Sequence, residues 1–234
     1  LLRALARITE AEKRGLFMQE ILELARSKGR YVFMARLLAP ALLKIEPTSG
    51  RAWMAGDAAR ALYAAGRFDE AAKWFEIFAA GDTGASEAVT RLWPLARFAA
   101  GNGVDWDAAR YMAWMRLKGD GGDDDEHTLA SLVDSLLRGL GDPPPQAEAP
   151  GKPAQLSGII LPTALPMSWR RLRAAGLSRR RGETVLMALV ALGDDRLGEI
   201  EPERLGLVVT ALNSVGLEAE ARAFAVEAAL AAGL

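Results

Sequence analysis

A chain of 234 residues, 50% of them hydrophobic and 25% charged, is long enough to bury a substantial core in one or two domains. Its 29 lysines and arginines balance 30 aspartates and glutamates, so a net charge of −1 argues against a general polyanion binder and against nucleic acid as a partner. With no cysteine and one histidine, His127, the chain excludes disulfides, thiolate zinc sites, cysteine nucleophiles and multi-histidine metal sites. No apolar run reaches the ~18 residues that span a bilayer.

Alanine and leucine dominate, both strong helix formers, and no stretch alternates polar and apolar long enough for a sheet. The apolar spacing predicts helices over 8–27, 31–45, 50–65, 68–80, 86–100, 105–118, 127–139, 166–176, 180–192, 202–214 and 218–232. Pro40 and Pro94 fall inside two of these and should kink or bound them, whereas Pro202 suits a first helical turn. The acidic run Asp120, Asp123, Asp124, Asp125 and Glu126 lacks the alternating spacing of a calcium loop. It reads as a solvated loop favouring the N-terminus of the next helix, where His127 is a surface residue. From Gly141 to Gly158 the prolines 143–145, 150 and 153 forbid a helix and predict an extended linker. Two lobes are therefore expected, 1–140 and 159–234, packed on or hinged to each other. Arg170, Arg171, Arg173, Arg179, Arg180 and Arg181 crowd the start of the second.

Glycines recur between the predicted helices. Gly29, Gly66 and Gly103 are spaced by 37 and 37, Gly176 lies 37 beyond Gly139, and Gly216 follows after 40. A fixed period in this range marks stacked helical hairpins, none of which can bury its apolar face alone. The expected fold is an all-α solenoid of about six helix-turn-helix repeats, interrupted by the Pro-rich linker. The second unit, Arg51 to Asp82, is the clearest. Its Gly66-Arg67-Phe68-Asp69-Glu70-Ala71 turn, the small residues Ala59 and Ala71, and Phe75 resemble the tetratricopeptide repeat, with Phe78 replacing a usual small residue. Gly29-Arg30-Tyr31 with Pro47, Val104 to Ala109, and Gly216 to Ala221 with Phe224 and Ala228 are degenerate copies, and the first carries one extra residue. The resemblance covers roughly residues 10–118 and 166–233.

That resemblance implies a protein-interaction scaffold or adaptor whose first helices line a concave groove. Arg60, Arg97 and Arg170 each stand six residues before a glycine, and Tyr63 and Arg173 lie one helical turn on from Arg60 and Arg170. Aligned guanidinium groups suit an acidic or carboxylate-bearing protein or peptide. Trp53 and Trp93, on first helices, join them as candidate partner-binding residues, while Trp74, Trp106 and Trp114, on second helices, read as core or inter-repeat contacts. No Ser-containing elbow or Gly-rich phosphate loop partners His127, so neither an enzyme nor a cofactor is expected. The alternatives are a structural subunit of a larger assembly, such as one in the cell envelope, and a non-catalytic helical segment of a larger enzyme. High alanine and arginine content suggests a high-GC bacterium. The start at Leu1 reads as processing or excision and, with the lack of cysteine, points to the periplasm rather than the cytoplasm.

Overall fold

The structure, a computed structural model, describes residues 8, 10–81, 87–100, 107–119, 124–142 and 166–234. Among them the backbone is all-α and contains no strand. The helices are α1 (Ala11–Ser27), α2 (Tyr31–Leu42), α3 (Ala52–Ala64), α4 (Phe68–Gly81), α5 (Glu87–Ala100) and α6 (Ala108–Gly119). They continue as α7 (Asp124–Leu140), α8 (Met167–Leu177), α9 (Arg181–Leu192), α10 (Pro202–Ser214) and α11 (Glu218–Ala231). Short 3-10 turns at Ser49–Arg51 and Leu197–Glu199 lead into α3 and α10. Pro40 and Pro94 are held inside α2 and α5, and Pro202 opens α10, where its missing donor costs nothing. Among the described residues no helix is long and apolar enough to cross a membrane.

Among the described residues six helices end in the same way. After α1, α3, α7, α8, α10 and α11 one residue adopts a positive φ: Gly29, Gly66, Gly141, Arg179, Gly216 and Gly233. Each donates its N–H to the carbonyl three residues back, and the next residue donates to the carbonyl five residues back. Gly66 thus bonds Tyr63, and Arg67 bonds Leu62, at 3.0 and 2.9 Å. This paired closure satisfies carbonyls that a helix end leaves without partners. The first five of these residues are 37, 75, 38 and 37 positions apart. Gly176, read from the sequence as a turn glycine, instead lies buried within α8, and Arg179 makes the turn at φ 53°.

The chain forms two compact units that divide between Ala96 and Arg97, within α5. In the first, α3 packs against α1, α2 and α4. Eight of its thirteen residues are buried, among Met18, Leu22, Leu38, Leu42 and Trp74 from its neighbours.

In the second unit α10 is central, with eight consecutive residues, Leu205 to Leu212, all buried. A helix apolar on every side belongs in a core, and α7, α8, α9 and α11 surround it. Its closest neighbour is α7 rather than a helix adjacent in the chain. A Cβ on Gly206 would lie 2.7 Å from the Ser135 carbonyl oxygen, and one on Gly139 would lie 2.9 Å from that of Gly206. The Asn213 amide donates to the Gly139 and Leu140 carbonyls at the end of α7, and the Ser214 hydroxyl donates to that of Gly176 in α8. α7 and α8 therefore flank α10 with their C-terminal ends beside its own. α7, grouped with the preceding helices by sequence, packs in this unit with the helices beyond the Pro-rich segment.

Candidate functional site

Burial singles out one face of α3. Met54, Ala55, Ala58, Ala59, Ala61, Leu62, Tyr63 and Ala64 point into the unit. Trp53, Gly56, Asp57 and Arg60 form the outward stripe, at the three- and four-residue spacing of a helix surface. These four residues, with Phe78 of α4 and Ala88, Arg91 and Leu92 of α5, line an open cleft. Trp53 is 45% exposed and leans over α1, where a Cβ on Gly15 would come within 3.1 Å of its ring. Phe78 takes its place because Gly56 has no side chain, since a Cβ there would sit 2.9 Å from the phenyl ring. The small residue expected at position 78 is in effect moved to the facing helix.

The charges in this cleft are mixed. The Gln19 amide of α1 donates to an Asp57 carboxylate oxygen at 2.7 Å, and Asp57 also borders a second open cleft with Glu20, Glu23 and Arg26. The Arg26 guanidinium lies 5.1 Å above the Tyr31 ring, a cation–π distance. Burial lowers the Arg60 pKa from its ordinary value, Tyr31 acts to raise it, and the nearby Arg26 charge lowers it further. Arg91 is tied to Glu87 along its own helix. Asp57, which lines the same cleft, acts to raise the Arg60 pKa again.

Of the residues nominated from sequence, the structure brings Trp53 and Arg60 together. Tyr63 and Trp93, expected on a groove, are instead buried at 2% and 3% exposure and cannot meet a partner in this conformation. The reason for Tyr63 is that α3 is covered on most of its circumference, so one helical turn from Arg60 is already interior. Arg97 is also mostly enclosed, its side chain 12% exposed and paired bidentately with Asp142, itself 8% exposed. Arg170 is exposed and Arg173 half-buried on α8, in the second unit with Arg97. Counted from the true turn residue Arg179, Arg173 rather than Arg170 holds the position that Arg60 holds before Gly66.

Sequence reasoning missed Asp57, Phe78 and Arg91. Asp57 was findable, being four residues from Trp53 on one face, but Phe78 and Arg91 reach the cleft only through tertiary packing. Trp106, Gly103, the Pro-rich segment beyond Asp142, and the side chains of the acidic run and of His127 lie outside the described residues. Among the described residues no group of three acidic or histidine side chains could hold a metal ion. Comparison with family models, with curated proteins and with solved structures gives no match.

Proposed function

We propose that the chain is a tetratricopeptide-like interaction module, a solenoid of about six helical hairpins that holds an acidic or carboxylate-bearing peptide of a partner protein. The observation that carries this reading is an open cleft lined by the exposed Trp53 indole and, two helical turns further along the same face of α3, by the half-buried Arg60. Tryptophan and arginine are among the residues that most often concentrate binding energy at protein interfaces. The repeat reading draws support from the shared turn closure and its spacing of 37 or 38 residues. The order of packing around α10 makes such a stack non-sequential in its second half, with α7 beside α10 rather than beside α8.

Labelled peptides rich in Asp and Glu, with free C-terminal carboxylates, test this by fluorescence polarisation. Against the intact chain some should bind, and Trp53→Ala and Arg60→Gln should each weaken them about tenfold, equivalent to ~1.4 kcal/mol. Amidating the peptide terminus separates a terminal carboxylate from acidic side chains as the recognised group. Failure of every acidic peptide, or binding indifferent to both substitutions, removes the cleft from consideration as the site.

A further inference from the structure

α9 carries an apolar face that its sister helices do not. Val185, Leu186, Leu189 and Val190 are 39%, 55%, 65% and 55% exposed, while Thr184, Ala188 and Ala191 turn inward. At the same distances from the turn, α4 has Ala72, Lys73, Glu76 and Ile77, and α11 has Arg222, Ala223, Val226 and Glu227. α4 and α11 thus each place two charged side chains, and α2, counted from Gly29, places Arg36, where α9 places none. Four adjoining exposed aliphatic groups on one helix call for a cover.

The sequence around α9 is partly self-complementary. Read outward from the midpoint between Met187 and Ala188, Leu186 mirrors Leu189, Val185 mirrors Val190 and Gly182 mirrors Gly193, while the inward-facing Thr184 and Ala191 and the pair Glu183 and Leu192 do not match. Beyond the glycines, Arg181 mirrors Asp194, and Arg180, which also pairs with Glu183 along its own helix, mirrors Asp195; all four are exposed. Laid antiparallel on a second copy about that midpoint, leucine meets leucine, valine meets valine, and both arginines meet both aspartates at each end. One register satisfies the apolar pairs and the ion pairs together. A two-fold interface demands this kind of self-complementarity, since each patch must recognise itself. The mirrored glycines, where a Cβ would meet nothing within 4 Å, leave room for the charged ends to reach across.

We propose that two copies of the chain associate through α9 packed antiparallel against α9. The stripe is a single helix face, so the dimer is concentration-dependent, and its charged rim makes it weaken as salt rises.

Charge reversal tests the register directly by sedimentation velocity over a concentration series. The intact chain should shift from monomer to dimer. One variant, Arg180→Glu with Arg181→Glu, and another, Asp194→Arg with Asp195→Arg, should each weaken self-association more than about tenfold, because like charges then face each other. Mixed in equal amounts, the two should regain the dimer, since every end again joins opposite signs. Both reversals place the charge that the helix dipole favours at that terminus, but the first also removes the Arg180–Glu183 ion pair, so unchanged helicity is checked for each variant. Leu186→Glu with Leu189→Glu, checked for unchanged helicity, should stay monomeric. The proposal is overturned if the intact chain is monomeric to concentrations on the order of 100 μM, in which case the face serves a different partner. It is equally overturned if either reversed variant dimerises alone as well as the intact chain, or if the mixture fails to recover.

Discussion

Gly206 and Arg179 make opposite demands of the backbone. Gly206 is required by contact: a methyl group there would lie 2.7 Å from the Ser135 carbonyl oxygen, which is backbone and cannot swing aside. Gly206→Ala must therefore push α7 and α10 apart, at a cost of ~1–3 kcal/mol. Arg179 carries a side chain where the helix end needs the left-handed conformation, at φ 53°, and five equivalent ends use glycine. Arg179→Gly removes a strain of roughly 1 kcal/mol. Gly216→Ala introduces that strain at φ 74°, in open space where nothing else changes. Thermal melts should rank Arg179→Gly above the parent chain, then Gly216→Ala, then Gly206→Ala, with ~2–4 °C for each kcal/mol in a chain of this size. A drop in Tm for Arg179→Gly would mean that the left-handed conformation stores no strain at this turn.

Between elements, the tie that stands out is Arg97 of α5 with Asp142, just past the end of α7. Asp142 follows the turn residue Gly141 at the position where Arg30, Arg67 and Arg180 follow Gly29, Gly66 and Arg179, so an acid stands here in place of an arginine and receives a guanidinium. Asp142→Ala leaves a mostly buried cation without that carboxylate and should cost about 3 kcal/mol in a urea titration. Adding Arg97→Met should recover most of the loss, whereas a merely additive double variant would mean that the two side chains act independently. The helices themselves were legible from sequence because apolar spacing, turn glycines and Pro202 agree locally. Their neighbours were not, since a period of 37 says which helix comes next in the chain, not which one lies against it. Nothing local marks Gly139 and Gly206 as facing each other across 67 residues. The groove residues failed for a related reason. Ala58, Ala59, Ala61 and Ala64 have no preferred face in a count of apolar positions, so Tyr63 could be placed outward when packing puts it inside. Gly176 was taken for a turn because glycine serves close helix contact as readily as a left-handed bend, and a Cβ there would lie 3.2 Å from Ala211.

Across the whole molecule, the three tyrosines couple both units to alkaline pH. They are the only tyrosines in the chain, and burial is the leading cause that raises each above the ordinary value near 10. Tyr31 is pushed up to about 12. Tyr63 is raised by burial and then by Glu76, and Tyr111 by burial and then by Asp134, to which its hydroxyl donates at 2.9 Å. A raised folded pKa means that the unfolded chain releases the proton first. The contribution of these phenols is therefore complete below pH 10 and is lost as pH climbs through 12. Phenolate absorbance and helical circular dichroism, followed together from pH 9 upward, should change together rather than in sequence. Phenolate appearing near pH 10 with helicity intact would mean that the hydroxyls are open to solvent. Tyr31→Phe combined with Tyr63→Phe should carry helicity in the first unit to higher pH. Tyr111 remains in the second unit of that variant, so alkaline loss should now begin there.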